Sequence, residues 1–131
     1  MNRTLFALLG GAVLSISLVA ASAPAQPKDR QSECFPQREI DSWASQDQRT
    51  VNLRVGFNRY YQLKLFSPCL DLDFSQAIGM RSRGSDWICA GENNDVEIFT
   101  RSMAGRQRCL VTSVRRLTPA EVAALPRGAK P

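Results

Sequence analysis

Thr50-Val51-Asn52-Leu53-Arg54-Val55 and Tyr60-Tyr61-Gln62-Leu63-Lys64-Leu65, joined by Gly56-Phe57-Asn58-Arg59, decide the fold class. In an extended chain, successive side chains point to opposite faces, so strict alternation marks a strand with one buried side. Val51, Leu53 and Val55 fall on one face of the first run, and Tyr61, Leu63 and Leu65 on one face of the second. Two such runs separated by a four-residue link of turn formers predict a β-hairpin. Tyr60 faces the other way, beside Gln62 and Lys64. There it packs across the strands or contributes to a binding face.

The same reasoning extends toward the C-terminus. Val96 and Ile98 alternate with Asp95 and Glu97, and a second β-rich run covers Cys109 to Val114. Ser102-Met103-Ala104-Gly105 between them is turn-rich, so this is a second hairpin. Gly91-Glu92-Asn93-Asn94 marks a further turn, and Met80 to Ser85 resembles a strand edge running into a loop. Arg81 and Arg83 share one side of that edge if it is extended. The order of elements predicts a mainly β (α+β) domain, a small antiparallel sheet or partly open barrel.

One or two short helices are expected beside the sheet. Thr118, Pro119 and Glu121 have the spacing of an N-cap, a first-turn proline and a capping-box acid, with Pro126 as the stop. Asp73 and Gln76 suggest a second capping box, with Phe74, Ala77 and Ile78 as the apolar face and Gly79 as the end. Pro36 followed by Gln37-Arg38-Glu39-Ile40 allows a helical turn that sets Ile40 and Trp43 on one face, Trp43 being read as core or half-buried core.

The N-terminus reads as a targeting segment. Arg3 precedes an apolar run from Leu5 to Ala21, and Ala23-Pro24-Ala25 has the small-x-small pattern of a cleavage site. Residues 1–25 are therefore expected to be a signal peptide, cut near Ala25, which implies a periplasmic or secreted protein with no transmembrane segment in the mature chain. The run is short for a span, about 17 residues against the ~20 a bilayer core requires. Residues 26–33 read as a flexible leader, 34–126 as a single β-rich domain and 127–131 as a disordered tail.

Four cysteines, Cys34, Cys69, Cys89 and Cys109, in an exported domain predict two disulfides. A zinc site normally brings ligands in close pairs, whereas these are spaced 35, 20 and 20 apart in a chain without histidine. Three pairings are open. With the second hairpin turning near Ala104, Cys109 lies opposite about Phe99 and Cys89 is ten residues beyond it, roughly 33 Å along an extended chain. Bridged Cα atoms must approach within about 7 Å. This arithmetic weakens the sequential pairing and favours Cys69 with Cys89 and Cys34 with Cys109.

Without Arg3 the chain carries 16 basic against 12 acidic residues, a net of +4, and 13 of the 16 are arginine. The arginines are scattered along the sequence and not interleaved with aromatics, which argues against a specific nucleic-acid face. Attraction to an envelope protein or an anionic surface remains open. Asp71 and Asp73 are close but read as capping and solvated groups, not as a catalytic pair. With no histidine, Ser-His and Cys-His nucleophile systems are excluded within the chain, and fully bridged cysteines leave no thiol. No cofactor and no metal is implied.

Taken together, Cys34-Phe35, Ile40-Asp41-Ser42-Trp43, Asp47 through Val55, Tyr60-Tyr61, Pro68 through Leu72, Arg81 through Gly84, Trp87-Ile88-Cys89, Cys109 and Val114 through Thr118 resemble a family of small exported Gram-negative bacterial proteins, classed as a domain of unknown function. The resemblance implies an exported β-rich domain with four cysteines and supplies no activity and no site residues. A non-enzymatic binding or envelope-associated module is the expected function. An inhibitor of a secreted hydrolase is the alternative, with Arg81 to Asp86 and Ser102 to Arg106 as contact loops, and a carboxylate-based hydrolase is the third reading. Arg81, Arg83 and Arg106 are the candidate partner contacts.

Overall fold

The computed structural model describes residues 33–92, 95–103 and 105–131. The expected signal peptide and all of the leader except Glu33 lie outside the described residues. Nine strands are described: β1 (Cys34–Pro36), β2 (Ile40–Ala44), β3 (Thr50–Val55), β4 (Arg59–Leu65), β5 (Gly79–Ser82), β6 (Trp87–Cys89), β7 (Gly91–Glu92), β8 (Val96–Ser102) and β9 (Gly105–Arg116). Seven of them form an antiparallel sheet in the order β2-β3-β4-β9-β8-β5, with β7 also on β9. The sheet curls into a half-barrel. The two remaining strands, β1 and β6, pair with each other, and Phe35 and Ile88 from them are fully buried in the core.

Both predicted hairpins form. The first pairs Val55 with Arg59, so its loop is Gly56-Phe57-Asn58, and Gly56 takes the positive φ that glycine adopts without steric cost. Val51, Leu53, Val55, Tyr61, Leu63 and Leu65 are all buried, as the alternation requires. The rings of Tyr61 and Phe35 meet at 4.4 Å between centroids, which locks the small β1–β6 sheet onto the large one. The second hairpin pairs Ser102 with Gly105.

β9 is the spine. Its first half pairs with β8, and its second half with β4 on one edge and β7 on the other. A bulge at Thr112 makes this possible: Lys64 pairs with Ser113 but Leu65 with Val111. An extra residue in one strand reverses which side chains face inward. Cys109 and Val111 are therefore buried before the bulge, and Val114 after it.

Several expectations are corrected. Ile40 and Trp43 lie on a strand, not a helix, after a single 3-10 turn at Gln37–Glu39. A bulge between Ile40 and Ser42 still turns both toward the core. The expected helix at Asp73 is absent. Its place is taken by tight turns in which the amides of Leu72, Phe74 and Ser75 each donate to a carbonyl three residues earlier. Asp71 adopts a left-handed φ of 58°, Leu72 rather than Phe74 enters the core, and Phe74 is left 81% exposed. Burial of one leucine beside the Cys69 bridge outweighs a weak capping signal.

The predicted C-terminal helix is present as α1 (Pro119–Ala124), with both arms of the Thr118–Glu121 capping box formed. The tail is not disordered. Arg127–Ala129 make a 3-10 turn, Ala129 is buried, and its carbonyl accepts from Asn52 Nδ2 at 2.9 Å.

The cysteine pairing also differs. The bridges are Cys34–Cys89 and Cys69–Cys109, neither of them the favoured pair. Cys34 and Cys89 are direct partners in the β1–β6 ladder. β1 lies not against the late hairpin but against β6, which precedes β7 and carries Cys89 to the first strand. Cys109 faces inward opposite Ile98 and meets Cys69, whose amide is tied to the Gln48 carbonyl.

Candidate functional site

One face of the sheet covers the core, and the other is divided in two. Over β3, β4 and the second half of β9, the C-terminal segment covers part of the outward side, burying Asn52. Asn52 and Gln62 are cross-strand partners, and Gln62 Nε2 donates to Asn52 Oδ1 at 3.1 Å. Arg115 donates to Gln62 Oε1 from both Nε and Nη2, and to Glu121 Oε1 at 2.6 Å from Nη1. Glu121 in turn accepts from the Thr118 amide at 2.8 Å. That amide first, and then the Arg115 guanidinium, hold the Glu121 carboxyl below the usual carboxylate range. The chain from Ala129 through Asn52, Gln62 and Arg115 to the helix cap fixes this end of the sheet.

The other end is uncovered, and here the strand registers assemble a basic cluster. Glu97, Phe99 and Arg101 alternate outward along β8. Their partners on β9 are Leu110, Arg108 and Arg106, and on β5 Arg81 lies opposite Glu97 and Gly79 opposite Phe99. The inward residues between them, Val96, Ile98 and Thr100, are buried. The Phe99 ring lies between two guanidinium groups, with Arg81 Cζ 5.6 Å and Arg108 Cζ 5.7 Å from its centroid. Such contacts hold an arginine in place while leaving its N–H groups able to donate outward.

Arg81, Arg101 and Arg106 line a groove of about 840 Å³ together with the turn segment Phe74 to Ile78, Gly79 and Phe99. A Cβ on Gly79 would meet nothing closer than Phe99 Cβ at 3.6 Å, ordinary van der Waals contact.

Charge on the cluster is only partly balanced. Glu97 is 4% exposed and sits between Arg83, at 3.4 Å, and Arg108, at 3.6 Å. Among the described residues, Arg81, Arg101 and Arg106 make no ion pair. Arg101 and Arg106 are directly opposite one another across the hairpin, an arrangement that places like charges on neighbouring strands and destabilises the pairing.

The structure thus brings together Arg81 and Arg106, two of the three candidates read from the sequence, and places Arg83 beside them on the buried Glu97. Arg101, Arg108 and Phe99 were missed. The scattered arginines looked unclustered because the clustering is cross-strand. Outward alternation at 97, 99, 101 and at 106, 108, 110 about a turn at 103–104 was the signal that could have found it.

A second groove, of about 620 Å³, lies where α1 meets the ends of β4 and β9, lined by Tyr60, Arg116, Leu117, Pro119 and Val122 among others. Tyr60 is half-buried there. Among the described residues no group of three or more Cys, Asp or Glu side chains is placed to hold a metal ion, and no helix is long and apolar enough to cross a membrane.

Comparison with curated proteins and with solved structures found no match. A family model, by contrast, matches residues 2–130, nearly the whole chain. The protein therefore belongs to a family of unknown function, DUF6491.

Proposed function

We propose that the protein is a non-enzymatic binding module of the cell envelope, and that the outward face of β5, β8 and β9 takes an anionic partner. The observation that carries this reading is the Arg101–Arg106 pair. Two like charges opposite one another weaken a hairpin by roughly 0.2–1 kcal/mol, and no acid of the described chain offsets them. A bound anion would. Arg81, held against Phe99, widens the same positive surface to three guanidinium groups with no ion pair among the described residues, beside Arg108 on Glu97, and planar guanidinium forks suit phosphate and carboxylate oxygens. A binding role is supported by the donors and charge that the face presents, with Glu97 engaged by two arginines. Two bridged cysteine pairs suit an exported protein.

Titration with inorganic polyphosphate, followed by calorimetry over a range of salt concentrations, tests the reading. Binding should weaken steeply as salt rises and be lost in the Arg101→Glu/Arg106→Glu double variant. The single Arg106→Glu variant separates binding from folding. It replaces a like-charge pair with an opposite-charge one, so it should unfold at the same or higher denaturant concentration while binding more weakly. Unchanged affinity in both variants would overturn the proposal.

A further inference from the structure

The arginine face is bordered by apolar side chains that no part of the described chain covers. Phe74, 81% exposed, lines the same groove as Arg81, Arg101 and Arg106. Met103, fully exposed, sits in the turn of the β8–β9 hairpin, two residues past Arg101. On the far side of Arg108, Leu110 continues the outward row of β9 and lines a small groove with Phe66, and both are at least half exposed. A dissolved polyanion would use the arginines and leave these side chains in water. A membrane interface uses both, because phosphates lie at the depth of the guanidinium groups and the acyl boundary just below takes the apolar side chains.

We infer that this face docks peripherally on an anionic phospholipid surface, with Phe74 and Met103 entering the interface and Arg81, Arg101 and Arg106 meeting the lipid phosphates. The inference rests on the anion-binding reading above and adds the kind of partner. Charge complementarity and apolar side chains on the same patch argue for it together. Isolated exposed apolar residues are ordinary on a protein surface, but their grouping around a basic cluster is not. At the other end the C-terminal segment lies over Asn52, Gln62 and Arg115, which leaves this end of the sheet as the one open to a membrane.

The test is sedimentation with vesicles, using protein expressed as the full chain and recovered with both disulfides formed. Vesicles of phosphatidylglycerol mixed with phosphatidylcholine are compared with pure phosphatidylcholine, and inorganic polyphosphate serves as the soluble comparator. Partitioning onto the anionic vesicles should exceed that onto neutral ones by at least tenfold and fall with salt. Arg101→Gln/Arg106→Gln should lower it by about 25-fold, at roughly fivefold per arginine near a charged surface, and should weaken polyphosphate binding as well. Phe74→Ser/Met103→Ser should lower vesicle binding about tenfold and leave polyphosphate binding unchanged. Both positions are exposed, so unfolding midpoints should hold.

Equal partitioning onto both vesicle types, or no effect of the Phe74 and Met103 changes, would overturn the inference. Binding to polyphosphate but not to vesicles would do the same while leaving the anion-binding reading intact, and binding to neither would remove both. A dimer that dissociates when Met103 is changed would assign the face to a second copy of the chain and also overturn it.

Discussion

Removing either disulfide should have nearly the same entropic effect but a different total. The bridges close separations of 55 residues for Cys34–Cys89 and 40 for Cys69–Cys109. The chain-entropy relation gives about 4.2 and about 3.9 kcal/mol of lost constraint on the unfolded chain. Burial separates them. Cys69 and Cys109 belong to the core, whereas Cys89 is exposed. Cys34→Ser/Cys89→Ser should therefore destabilise by about 4 kcal/mol. Cys69→Ala/Cys109→Ala should lose about 2 kcal/mol more, since two buried atoms leave the core at roughly 0.8 kcal/mol per methylene-sized group, with some void left behind. Against the ~5–15 kcal/mol of a whole domain, the first variant stays folded and the second is marginal. The two loops interlock, residues 69–89 belonging to both, so the quadruple variant should not show the sum.

Urea unfolding of each pair variant reads these values directly. Stepwise reduction with dithiothreitol, followed by alkylation and peptide mapping, reads the accessibility: Cys34–Cys89 should open well before Cys69–Cys109, because exchange requires a thiolate to reach the sulfur. The reasoning would be refuted if the buried bridge opened first, if loss of Cys34–Cys89 moved stability by less than about 1 kcal/mol, or if mapping joined Cys69 to Cys89.

Three further outcomes are expected. Glu97→Gln should strengthen polyphosphate binding by freeing Arg83 and Arg108, while lowering stability by about 1–3 kcal/mol because a buried, charge-assisted site is disrupted; calorimetry and urea unfolding measure the two effects. Glu121, whose carboxyl is held below its ordinary range in the folded protein, contributes stability that is present above the unfolded-state value and lost as pH falls through the lower folded one. The thermal midpoint should therefore drop between about pH 6 and about pH 3, and Glu121→Gln should flatten part of that drop. Asn52→Ala removes the donor to the Ala129 carbonyl and the acceptor for Gln62; it should destabilise by about 1–3 kcal/mol and speed hydrogen exchange in residues 119–129 before the sheet.

What was legible in the sequence followed from local periodicity. Val51, Leu53, Val55, Tyr61, Leu63 and Leu65 reported their own faces because alternation and burial coincide strand by strand. Thr118, Pro119 and Glu121 reported their helix because all its capping groups lie within four residues. What was hidden depends on partners far along the chain. The bridge of Cys34 to Cys89 follows from β1 pairing with β6, two three-residue strands too short to show a period. The capping signal at Asp73 was real in spacing but lost to the burial of Leu72. The ordered tail depends on Asn52, 77 residues away.

The basic face was hidden for the same reason, and its arrangement bears on why it exists. A sheet with one solvated face needs outward polar residues, and arginine serves that purpose at scattered positions. Scattering does not account for this pattern. Alternation along β8 and β9 places outward residues in fixed cross-strand pairs, so the side chain facing Arg101 is a choice with an energetic consequence. A glutamate at position 106 would gain what the arginine there loses. Acids do meet arginines elsewhere in the fold, at Glu97 between Arg83 and Arg108 and at Glu121 of α1 beside Arg115. Opposite Arg101, beside the groove lined by Phe74 and Arg81, the chain instead supplies a second arginine. Arg81, Arg101 and Arg106, gathered at one groove with no ion pair among the described residues, are the arrangement that an external anion would complete.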